Sequence, residues 1–126
     1  MPGRLSLLTP NGIEYDVYFA DPANTAPAFV SVIIDIDLET DALSQIKYDR
    51  RWKRFIRKHG DLTTQVTPII GRPDFVGGLD EPGAPSGITG HRFAVWNLGK
   101  SQVITRVTHE GPETPIELSV LIRPRN

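Results

Sequence analysis

The sequence predicts an α+β fold: a mostly antiparallel sheet of about six to seven strands with one amphipathic helix packed on it. Three observations carry that expectation. Short runs at both ends of the chain alternate apolar and polar residues, as half-buried strands do. Between them a single stretch repeats its aromatic residues at helical spacing. Gly, Pro and Asn cluster between the runs, where turns need fixed or positive φ. A sheet curled into a barrel-like form around the helix is the alternative arrangement.

RLSLL is the first strand, and the TPNG after it is a hairpin turn. In IEYDVYF, Ile13, Tyr15, Val17 and Phe19 alternate with Glu14, Asp16 and Tyr18, which makes a second strand. DPANTAPA is a loop. FVSVIIDIDLE then places Val30, Val32, Ile34, Ile36 and Leu38 on one face, while the other turns acidic at Asp35, Asp37 and Glu39.

The helix follows. At roughly 100° per residue, Tyr48, Trp52, Phe55, Ile56 and His59 share one arc, and the basic residues lie opposite. Ser44 reads as its N-cap with a Leu43–Tyr48 staple, and Gly60 as its stop. Ile46 projects to the basic side and has no role in this scheme. LTTQVTPII has strand composition, with Pro68 restricting it to an edge or a bulge. Residues 71–90 hold six of the 11 glycines and three of the 11 prolines, and read as a long flexible loop. HRFAVWN, QVITRVTH and PIELSVLIR close the chain as three strands. Residues 1–126 are read as one domain.

The net charge of −1 gives no global pull on polyanions. Its distribution is uneven. Residues 47–60, KYDRRWKRFIRKHG, hold seven of the 14 Lys and Arg and one acid, so +6 there stands against −7 elsewhere. The absence of cysteine excludes disulfides, thiol catalysis and Cys-ligated zinc. No apolar run approaches the length of about 18 residues that spans a membrane, and the one near the start is too short for a secretory leader. A cytoplasmic protein is expected.

Four features of the sequence bear on chemistry. The basic helix face (Arg50, Arg51, Arg54, Arg57 and Lys58) could dock an acidic protein or bind phosphates without sequence preference. It lacks interleaved Asn, Gln, Ser or Thr to read bases, so nucleic acid is the weaker reading. Asp35, Asp37 and Glu39 alternate as oxygen ligands would, yet Thr40 and Ile46 stand where a calcium loop needs Gly and Glu, and no metal is assigned. His91 and His109 fall at one end of a hairpin, beside a loop carrying Asp74, Asp80 and Glu81. Two imidazoles with a carboxylate could hold a divalent metal or move a proton, which makes them the candidate catalytic set. Trp96, on the face opposite Val95, is a candidate binding anchor. The nucleophile elbow, Walker A, H-E-x-x-H and dinucleotide motifs are all missing, and no cofactor is expected.

The leading expectation is a non-catalytic protein-binding or assembly domain. It would use the basic helix face and the 71–90 loop on a protein partner, an acidic one or a second copy of itself. A small enzyme built on the histidines is one alternative, and a weak nonspecific nucleic-acid binder is the other.

Overall fold

The computed structural model describes residues 4–8, 10, 12, 14–19, 27–37, 45–109 and 115–125. In chain order these form β1 (Arg4–Leu8), β2 (Glu14–Phe19), β3 (Pro27–Asp37), α1 (Gln45–Ile70), β4 (Phe75–Gly78), β5 (Arg92–Leu98), β6 (Ser101–Thr108) and β7 (Ile116–Pro124). The strands make one sheet of seven, in the order β1-β2-β3-β7-β6-β5-β4. Every neighbouring pair is antiparallel. β1 and β4 stand at the two edges, so the sheet is open and the barrel-like variant is not adopted. The helix carries the chain from one wing of the sheet to the far edge, and the β4–β7 meander returns to pair β7 with β3.

Among the described residues, the helix backbone packs over β5, β6 and β7, and helix side chains reach the end of β3. Phe55 is fully buried there with Val107, Ile116 and Leu118, and Tyr48, Trp52, Ile56 and Leu62 close around them. The aromatic stripe expected to face the core does so. A second cluster lies on the opposite face of the sheet, where Phe93, Val95, Ile104 and Leu121 are joined by Phe29, Phe75 and Ile88.

Two boundaries differ from the expected ones. The helix runs on past Gly60 to Ile70, and LTTQVTPII is its last two turns rather than a strand. An interior glycine costs a helix about 1 kcal/mol relative to alanine. The apolar stripe continues from His59 to the half-buried Leu62, Val66 and Ile70 at helical spacing, and that burial outweighs the local preference. Thr63, Thr64 and Thr67 each donate a hydroxyl hydrogen bond to the carbonyl four residues earlier, so their polar groups are satisfied within the helix. Pro68 sits in the final turn. Gly71, at φ 97°, ends the helix in the left-handed conformation, with its N–H bonded to Thr67 O at 2.8 Å. The expected cap Ser44 and staple residue Leu43 lie outside the described residues. Ile46 is exposed.

Residues 71–90 are not loop throughout. Phe75–Gly78 form β4, paired with β5. The remainder folds over the second face of the sheet, where Ile88 enters the core cluster. Arg106 Nη1 donates to Thr89 O at 2.9 Å and Arg123 Nη1 to Ser86 O at 2.7 Å, fastening the segment to β6 and β7.

The third difference is a β-bulge in β3. Ile33 pairs with Ser119 but Asp35 pairs with Leu118, so Ile34 is the extra residue. Beyond it the side-chain alternation is inverted. Asp35 and Asp37, opposite Leu118 and Ile116, therefore share the helix-facing side, and Ile36, opposite Glu117, turns away with Ile33. The single apolar face expected through Ile34 and Ile36 does not form.

Candidate functional site

The inverted end of β3 meets the basic helix. Arg51 Nη1 donates to both carboxylate oxygens of Asp37, at 2.9 and 3.1 Å. Arg54 Nη2 lies 3.7 Å from the same carboxylate, which is only 9% exposed. Lys58 bonds Asp35, and this contact holds the Asp35 carboxyl below the ordinary carboxylate range. Three of the five basic residues expected to dock a partner are thus turned onto the chain's own acids. Arg50 and Arg57 remain exposed on the outer helix face. Glu39 lies outside the described residues.

The two histidines do come together, against the first half of the helix. His91 Nε2 donates to the backbone carbonyl of His109 at 2.7 Å, and its ring stands edge-on to Trp52 at 5.4 Å between centroids. His109 Nδ1 lies 2.6 Å from the Tyr48 hydroxyl. Burial, with the nearby Asp49 charge, raises the Tyr48 pKa above 10.0. His109 Nε2 is buried and has no hydrogen-bond partner among the described residues.

The loop carboxylates are elsewhere. Asp74 accepts from the Asn97 N–H at 2.7 Å, at the other end of β5 from His91. The Glu81 carboxylate lies over Gly77, so close that a Cβ there would sit 1.9 Å from Oε2. Gly77 pairs with Phe93 and so faces away from the helix, which puts Glu81 on the side of the sheet opposite the imidazoles. Asp80 is exposed in the turn after β4. No cluster of three His, Asp or Glu able to hold a metal occurs among the described residues.

Trp96 is corrected outright. It is 1% exposed, on the helix side of the sheet, and its Nε1 donates to Gly71 O at 2.8 Å. The indole anchors the end of the helix to β5 and is unavailable as a partner's anchor. No helix among the described residues is long and apolar enough to cross a membrane.

Sequence reasoning missed three groups. The helix partners of the histidines, Tyr48 and Trp52, were read only as core. Exposed isoleucines line both faces of β3, visible in sequence as the near-continuous apolar run FVSVII, which is typical of a strand covered on both sides. The polar row Asn97, Gln102 and Arg123 crosses β5, β6 and β7, and only its first pair was foreseeable from the tight turn at Gly99. No protein-family model, curated protein or solved structure matches this chain.

Proposed function

We propose that the chain is a non-catalytic assembly domain whose partner is a second copy of itself, docked on the β1–β3 wing of the sheet. The observation that carries this reading is the exposure of β3 on both faces. Ile33 and Ile36 are 43% and 37% exposed on one face. Ile34, and Ile122 of β7 farther along the strand pair, are 48% and 41% exposed on the other. Val17, Val30 and Ile122 form a cross-strand row on that face, the one that bears the helix over β5, β6 and β7. Beside it runs a groove of about 310 Å³, lined by Ile34, Leu62 and Leu118 and rimmed by the Asp35–Lys58 pair.

A second copy suits this surface for two reasons. The face is apolar and β-branched, and a two-fold contact matches such a face with its own equal. The net charge of −1 sets little repulsion between copies, and the ion pairs along the groove leave its rim close to neutral. Catalysis is the weaker reading because Tyr48 and a backbone carbonyl each take one nitrogen of the histidine pair, and no cluster with a carboxylate forms around them among the described residues.

Sedimentation velocity over a concentration series tests the proposal. The wild-type chain is expected to be dimeric at concentrations of about 10 μM and above, the range of a modest interface. Ile34→Lys with Ile122→Glu should give a monomer with an unchanged far-UV spectrum. A wild-type chain that stays monomeric at about 100 μM refutes the proposal.

A further inference from the structure

The second face of the sheet carries a polar cavity of about 300 Å³, roofed by residues 83–86 of the long loop and floored by the Asn97–Gln102–Arg123 row, with Arg125 at its rim. That is the lower end of the size range for small-molecule sites. From this cavity we infer that the chain binds a phosphate monoester, by a surface separate from the proposed assembly wing.

The hydrogen bonds fix the polarity of the cavity. Arg123 can only donate, and its Nε gives its proton to Gln102 Oε1 at 2.8 Å. The Gln102 carbonyl must therefore face Arg123, which turns its NH₂ toward Asn97 Oδ1, also at 2.8 Å. Asn97 is left with its NH₂ as the outer group. The orientation of both amides follows from the cation at one end of the chain of bonds, with no freedom to flip.

Three sets of donors then lack an acceptor among the described residues: Arg123 Nη2, Asn97 Nδ2 and the whole Arg125 guanidinium. Arg123 Nη1 is spent on Ser86 O, so the guanidinium is held in place before any ligand arrives. The backbone of Arg125 is held by its N–H, which bonds Lys100 O at 2.7 Å. Among the described residues, no acidic side chain lines the cavity. Asp74 accepts from the backbone of Asn97, and Glu81 lies over Gly77, so neither carboxylate fills it.

A cavity rich in fixed donors, with two arginines and without an acceptor, is complementary to an oxyanion. Two arginines favour a dianion over a monoanion, and the volume exceeds what an inorganic anion alone would fill. Together these select a phosphate monoester on a small organic group over a carboxylate.

Amide NMR titration of the full chain tests the assignment, with phenyl phosphate, inorganic phosphate and acetate as probes. Phenyl phosphate should shift the resonances of Gly83, Ser86, Gln102 and Arg125, with a dissociation constant on the order of 1 mM at low salt. Inorganic phosphate should bind about tenfold more weakly, because it fills less of the cavity. Arg125→Gln, whose side chain holds nothing else in place, should weaken phenyl phosphate about tenfold. Asn97→Asp keeps the shape, reverses the outer group from donor to acceptor, and should abolish binding. The inference is overturned if about 10 mM phenyl phosphate moves none of these amides. Acetate binding as tightly as phenyl phosphate, or both variants titrating like wild type, overturns it as well.

Discussion

Truncating Phe55 to alanine tests the central packing of the fold. Phe55 is fully buried and touches Val107, Ile116 and Leu118, so it joins the helix to both central strands. The Arg54 and Lys58 cations lie 5.9 and 5.6 Å from its ring centre and add a smaller contribution. Removing a buried phenylalanine side chain costs about 3–5 kcal/mol, because the apolar contacts vanish and the cavity collapses only in part. A domain has about 5–15 kcal/mol in all, so the variant should remain folded yet lose a large share of its stability. With a urea slope of about 1–3 kcal/mol per molar, the midpoint should fall by more than about 1 M. Phe55→Leu, which keeps most of the volume, should cost less than about 1.5 kcal/mol. Arg57→Ala, on the exposed back of the helix, should stay within about 0.5 kcal/mol. Similar losses for Phe55→Ala and Arg57→Ala in equilibrium urea melts would refute the assigned faces.

Three further outcomes follow from named contacts. His59 is buried, which lowers its pKa below 6.5; the unfolded chain therefore binds the extra proton more readily, and stability should fall as pH drops below about 6.5, a slope that His59→Gln removes in thermal melts. Trp96→Phe leaves the Gly71 carbonyl unpaired at the helix end and should cost about 1–3 kcal/mol in urea. Asp35→Asn with Asp37→Asn releases Lys58, Arg51 and Arg54 from their acids, so this variant should elute from heparin at higher salt than wild type; unchanged elution would mean that the basic face was never neutralised from within.

The pattern of strands and the helix face were legible because each rests on local periodicity. Tyr48, Trp52, Phe55, Ile56 and His59 had one geometric solution, and the structure adopts it. What sequence could not show depends on partners distant in the chain. The helix runs past Gly60 because Leu62 finds the buried cluster around Leu118, a contact that no propensity encodes. β4 was hidden because Phe75–Gly78 has no alternation of its own and is a strand only by pairing with β5. The histidines meet at one end of the hairpin, but not by strand parity: Phe93 and Val95 lie on the face opposite Val107, and His91 reaches the backbone carbonyl of His109 instead. Glu81 does not join them, since its carboxylate crosses to the other face through a turn.

The bulge at Ile34 connects the charge pattern to the proposed assembly. Without it, regular pairing would continue from Ile33 opposite Ser119, setting Ile34 opposite Leu118, Asp35 opposite Glu117 and Ile36 opposite Ile116. Two isoleucines would then be buried under the helix, but Asp35 would face Glu117 directly, a destabilising like-charge pair. Lys58 and Arg51 would also lose their acids. The bulge reverses each of these outcomes. It brings Asp35 and Asp37 to the helix cations and sets Ile36 beside Glu117, while Ile33, Ile34 and Ile36 stay partly in solvent. Surface ion pairs contribute only about 0–1 kcal/mol each, whereas fully burying an isoleucine contributes about 1.5–3 kcal/mol. In a lone chain, then, the bulge leaves apolar burial unrealised for a modest electrostatic return. A second copy over the Ile34–Ile122 face of the wing would recover part of that burial without disturbing the ion pairs. The sum favours the bulged strand once the wing is covered, and for this reason the proposed partner is sought there and not on the basic helix.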